Sequence, residues 1–184
     1  LEAFSDGVIA ILITVMVLEL KVPHGYSWAE LKGPVSVLGA YVVSFIYLAI
    51  YWNNHHHMMH PVKHIDGRSL WANNYLLFWL SLVPFATRWV GESGFATIPV
   101  ALYGVNLFLS GTGYYVLTRA LLTANGRDSE FAQRLGDDFK GKVSLVIYAT
   151  AVAAAFVAPW IACALYIAVA VIWFIPDRRF QPTD

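Results

Sequence analysis

The chain has 184 residues with 12 basic and 12 acidic side chains, so 13% of it is charged while 58% is hydrophobic. A soluble domain averages about 25% charge and 45–50% apolar residues. That imbalance excludes an ordinary soluble enzyme, a nucleic-acid binder with its basic excess, and a disordered chain, and leaves an integral membrane protein in a lipid bilayer.

A membrane span takes about 20 apolar residues, and the pattern predicts an all-α fold: one transmembrane domain over 1–184 with six spans. The first covers 4–22, FSDGVIAILITVMVLELKV, and Pro23, His24 and Gly25 stop it. Pro34 suits a first helical turn and opens the second span, 35–52, which continues toward 60 through NNHHHMMH. A loop with Lys63, Asp66, Gly67 and Arg68 follows. The third span, 69–90, holds Asn73, Asn74 and Pro84, and Gly91 to Gly94 make a tight turn. The fourth covers 95–122. The mixed-charge stretch from Arg127 to Lys142 reads as a solvated helix or loop. The fifth and sixth, 143–157 and 160–175, flank a short turn at Ala158 and Pro159.

Basic residues fix the orientation. With six spans, Lys63, Arg68, Arg119, Arg127, Arg134, Lys140, Lys142, Arg178 and Arg179 share the side of both termini, and Lys21, Lys32 and Arg88 lie opposite. Nine against three predicts cytoplasmic termini. Small residues four apart at Ala151/Ala155, Ala158/Ala162 and Ala164/Ala168 predict close helix packing. Trp28, Trp52, Trp71, Trp89, Trp160 and Trp173 lie near span ends, where interfacial belts form. Cys163, the single cysteine, permits no intrachain disulfide and reads as an inert thiol.

A carboxylate at mid-membrane costs at least ~2.5–3.5 kcal/mol. Asp6 and Glu19 lie thirteen residues apart, roughly 20 Å along a helix, and therefore sit near the two interfaces. Between them Ile11, Val15 and Leu18 follow i, i+4, i+7, one helical stripe continued by Gly7 and Val22. Unaided, such a stripe reads as lipid-facing or bundle core before it reads as a pore. Thr14 lies beside it, its hydroxyl facing a pore or bonding back to Ala10. Five histidines, His55, His56, His57, His60 and His64, crowd the end of the second span. They are too few for a di-iron oxidase. His56 and His60, at i and i+4, are weak candidates for a divalent metal; otherwise the cluster joins a polar network.

The run Phe4-Ser5-Asp6 followed by GVIAILIT, with the ending VLEL, resembles the first helix of the transmembrane protein 175 family. The Pro-Phe-x-Thr of Pro84, Phe85 and Thr87 is also similar to its bacterial members. The family motif is Arg-x-x-x-Phe-Ser-Asp, whose Arg position falls one residue ahead of Leu1. The resemblance implies a potassium-selective channel in a bacterial inner membrane, a homotetramer of six-span subunits whose first helices line the pore. It places an apolar filter at Ile11, with Val15 and Leu18 as outer layers and Thr14 beside them. It puts Phe4, Ser5 and Asp6 in a polar network for which His57, Asn73 and Asn74 are candidate partners. Potassium and other monovalent cations would pass passively, with no cofactor, no catalytic residue and no enzymatic activity. The rivals are a proton-coupled secondary transporter working through Asp6 or the histidines, and a membrane metal-binding protein using the His cluster. Neither the mid-membrane charge nor the internal repeat typical of a transporter is visible.

Overall fold

The computed structural model describes residues 1–20, 22, 32–135 and 138–174. Among these there are eight helices and no strand: α1 Glu2–Val17, α2 Lys32–Met59, α3 Gly67–Ser81, α4 Val83–Glu92, α5 Thr97–Asn125, α6 Glu130–Leu135, α7 Phe139–Ala155 and α8 Pro159–Phe174. By length and apolar content, α2 from Val35 and α5 could each cross a bilayer unaided. The apolar α8, at 16 residues, is shorter. Lys21, His24, Trp28, Arg178 and Arg179 lie outside the described residues.

Several boundaries depart from the expected spans. The first helix ends at Val17 rather than 22. The N–H groups of Leu18, Glu19 and Leu20 donate three residues back, to Val15, Met16 and Val17, which tightens the last turn and closes it. The third span is two helices broken at Leu82, because Pro84 has no N–H to continue the ladder and suits the first turn of a new helix. In the stretch from Arg127 to Lys142, α6 is anchored: Phe131 and Leu135 are buried in the core beside Met58 and Leu121. Asp66 caps α3, its carboxylate accepting from the Ser69 N–H and hydroxyl, each at 2.8 Å. Those two bonds hold the Asp66 carboxyl below its ordinary range.

Long-range contacts sort the helix ends into two groups. Ser5 on α1, His55 on α2 and Asn73 on α3 meet at one end. There Asn125, at the close of α5, accepts from the backbone N–H of Lys63 and His64 at 2.9 and 3.0 Å. Trp173, near the end of α8, donates to Ser144 in the second turn of α7. At the other end Arg88 of α4 pairs with Glu19 at 2.6 Å. Ser36 of α2 donates to Gly91, and Phe95 meets Trp160. Taking α3 and α4 as one broken rod and setting the short α6 aside, successive helices are therefore antiparallel.

The interior has two apolar clusters, both built on α5. One joins Ile9 and Met16 of α1 to Leu48, Leu76, Leu80, Leu117 and Leu121. The other joins Tyr47, Val90, Tyr103, Leu107, Tyr148 and Tyr166. Three of its four tyrosine hydroxyls have these partners: Tyr47 donates to the Tyr166 carbonyl at 2.5 Å, Tyr166 donates to the Val100 carbonyl at 3.1 Å, and Tyr103 lies 2.9 Å from Ser44 Oγ. Gly113 brings α5 against α3: a Cβ there would meet Leu76 Cα at 2.9 Å, a backbone atom that cannot yield alone. Ala151, Ala155 and Ala162 are fully buried between α7 and α8, the close approach expected of small residues. Ala164 and Ala168 are exposed and take no part in that seam.

Candidate functional site

The first helix has two faces of different character. Ser5, Ile9 and Met16 are buried and dock it on the bundle. Opposite them, Phe4, Gly7, Ala10, Ile11, Thr14, Val15 and Leu18 form a continuous face that no other described part of the subunit covers. Ile11 is 61% exposed, Val15 39% and Leu18 79%. A Cβ built on Gly7 meets no atom within 4 Å. The apolar stripe of the sequence is thus real in the fold and points away from its own subunit. Thr14 lies on this face, and its hydroxyl donates to the Ile11 carbonyl at 2.9 Å, three residues back, rather than to Ala10.

The docked face is fixed by a buried polar triad. Asn73 Nδ2 donates to Ser5 Oγ at 2.9 Å, and His55 Nε2 lies 2.9 Å from Asn73 Oδ1. An amide oxygen can only accept, so His55 carries its proton on Nε2. The Ser5 hydroxyl can then donate to the Leu1 carbonyl at 3.2 Å. Ser5, His55 and Asn73 are each 0% exposed, so every bond in the set is made out of water, where losing one is costly. His55 Nδ1 and Asp6 Oδ1 are buried without a hydrogen-bond partner among the described residues.

Two expected partners do not belong to this set. Asn74 is exposed, one residue or 100° of helix away from Asn73. His57 turns toward His56 and His60, with ring centroids 5.7 and 6.3 Å away. Phe4 is 60% exposed and lies on the open face, outside the network. His55, the residue that does close the triad, follows the inward rhythm of buried Ser44 and Leu48 and partly buried Tyr51 along α2; extending that stripe by one turn finds it. The weak metal candidates His56 and His60 do meet, their Nε2 atoms 3.3 Å apart, and they are joined by Glu2 from α1. At the far end of α1, Glu19 is held by Arg88, which also bonds Glu92 at 3.1 Å. The two carboxylates Asp6 and Glu19 therefore have different surroundings at opposite ends of the same helix.

Residues 1–84 match the family model described as the endosomal/lysosomal potassium channel TMEM175. The chain is 50% identical over 181 residues to a potassium channel of Chryseobacterium sp., covering 98% of this chain and 94% of that protein. It is 39% identical over 95 residues to a potassium channel of Streptomyces collinus, covering 50% of this chain and 46% of the relative. A crystal structure of a lysosomal potassium-selective channel TMEM175 homologue from Chamaesiphon minutus superposes with a TM-score of 0.77 at 27% identity, over 96% of each chain. The match spans both the docked and the open face of α1, and the chain belongs to the TMEM175 family.

Proposed function

We infer that the chain is the subunit of a potassium channel in a bacterial inner membrane. The family and its potassium-channel relatives support this function. The finer reading is a homotetramer in which each subunit crosses the bilayer six times, through α1, α2, the α3–α4 pair, α5, α7 and α8, with both termini cytoplasmic. Four copies of α1 line a central pore, with Ile11 as the narrowest ring and Val15 and Leu18 as outer layers.

The observation that carries this reading is the uncovered apolar face of α1 directly opposite the buried triad. A helix pinned by Ser5 on one side and bare on the other is suited to meeting copies of itself. A ring of branched side chains passes an ion only when wide enough to stay wet, and it gates by dewetting when narrower. Partial dehydration costs less for the larger, more weakly hydrated potassium ion than for sodium, so an apolar ring favours potassium without any carbonyl ligand. Thr14, its hydroxyl bonded to the Ile11 carbonyl, contributes bulk to the ring and little polarity. Ions move passively down their gradient, with no cofactor and no catalytic step.

Potassium flux into proteoliposomes of the purified full chain separates this reading from a coupled transporter. The expected result is flux driven by a potassium gradient alone, unchanged when a protonophore collapses the proton gradient. Flux that stops with the proton gradient contradicts the channel reading and favours proton coupling through Asp6 or the histidines.

A further inference from the structure

Beside the triad lies a second cluster that the pore reading does not use. Glu2 opens α1, and His56 and His60 lie one turn apart near the end of α2. Their three potential ligand atoms lie within 4.8 Å of one another. His56 Nδ1 lies 2.8 Å from Glu2 Oε1, and His56 Nε2 lies 3.3 Å from His60 Nε2. Glu2 and His56 are half-buried and His60 is exposed, so the cluster is open to water and to solutes.

The geometry suits one class of ion. Zn–N bonds of about 2.0–2.1 Å in a tetrahedron set the ligand nitrogens about 3.3 Å apart, which is the separation of the two imidazole Nε2 atoms. His56 Nδ1 stands 2.8 Å from Glu2 Oε1 without the alignment of a hydrogen bond, so a proton held on Nδ1 faces the carboxylate and leaves the Nε2 lone pair on the side of His60. A carboxylate that turns to accept from the far nitrogen of a metal-ligating histidine also raises its basicity toward the metal. The two Nε2 atoms otherwise need a proton between them. Two imidazoles and a carboxylate favour a borderline divalent transition ion over potassium, magnesium or calcium, which prefer oxygen cages. Trp52, stacked on His56 with centroids 5.7 Å apart, fixes the ring plane from the other side.

We propose that His56 and His60 bind a zinc-class divalent cation, with Glu2 as the orienting or third ligand, in a site that fastens the start of α1 to the end of α2. It is independent of the pore and uses neither the triad nor the open stripe. The remaining coordination positions are left to water.

The test is zinc binding to the full-length chain in detergent after removal of any affinity tag, read by competition with a chromophoric chelator and by the shift in melting temperature. Wild type is expected to bind one zinc per subunit and to melt at higher temperature with zinc than without. His60→Gln should weaken binding at least tenfold and abolish the thermal shift. Glu2→Gln should weaken it about tenfold, the low end of the usual effect of an orienting carboxylate. His64→Gln, on the neighbouring loop, should leave both readouts unchanged. These are solvent-accessible side chains, and the melting curve without zinc reports whether each variant is folded. Wild-type binding no tighter than that of His60→Gln, or equal losses for His60→Gln and His64→Gln, would overturn the site and leave only adventitious histidine binding.

Discussion

Ile11→Asn is expected to lower the potassium-to-sodium flux ratio by about tenfold, which is about 1.4 kcal/mol of lost discrimination. The reason lies in what a ring at that position offers an ion. In the proposed tetramer, four isoleucine side chains, each 61% exposed on its own subunit, would give no oxygen to either cation. An ion that passes must shed or distort part of its water there without repayment, and sodium, holding water more tightly, is penalised more. Asparagine keeps roughly the side-chain size while adding a carbonyl and an amide that replace lost water for both ions. Sodium gains more from that replacement, so total flux should rise while the ratio falls. Potassium and sodium flux measured in the same proteoliposome preparation check this. The substitution sits on the open face and removes no contact to Asn73 or Ile9, so the subunit fold should survive it. An unchanged ratio would take Ile11 out of the filter.

The second large effect is on stability. Asn73→Leu should destabilise the subunit by about 2–4 kcal/mol, because it strands His55 Nε2 and removes one of the two partners of Ser5 Oγ in the interior. Ser5 retains the Leu1 carbonyl at 3.2 Å, which keeps the cost from rising further. Asn74→Leu, one residue on and exposed, should stay within ±0.5 kcal/mol. Combining Asn73→Leu with His55→Leu should recover part of the loss, since an apolar pair leaves no unpaired nitrogen behind. Thermal melting in one detergent across the four proteins gives the comparison. If Asn73→Leu melts with wild type, the triad does not hold α1 to the bundle.

Much of this arrangement was legible in the residues. Five of the six expected spans correspond to single helices, and the all-α class follows from apolar runs between turn signals. The spacing of Ile11, Val15 and Leu18 gave a stripe, but its role came from resemblance to a family, because periodicity does not say what covers a face. The structure supplies the missing fact that no described part of its own subunit does. The errors share one physical cause. A helix that is apolar on its exposed and buried faces alike, such as α2 with Val35, Leu38, Val42 and Phe45 exposed, has a weak polar–apolar contrast, so the rotational phase of its ends is hard to read. His55 and His57 differ by about 200° around the axis, and that angle alone separates a buried triad member from a solvated ring. The same holds for Asn73 and Asn74. The Glu19–Arg88 pair, 69 positions apart, and the meeting of Glu2 with His56 depend on helix packing that no local pattern encodes. Pro84 lies inside the expected third span, and only the bundle shows that the helix breaks there and resumes one residue beyond Leu82.

The central claim is that the open face of α1 lines the path of the ion. Ile11→Cys in a Cys163→Ser background, exposed to a water-soluble methanethiosulfonate reagent, tests it most directly. Cys163 is the single native thiol, so the engineered cysteine reports alone. Val146→Cys in the same background is the control, since Val146 is exposed on α7, far from α1 in sequence. The predicted result is rapid, irreversible loss of potassium flux for Ile11→Cys and undiminished flux for Val146→Cys. Flux through Ile11→Cys that survives the reagent, with block at Val146→Cys instead, would place the pore elsewhere in the assembly.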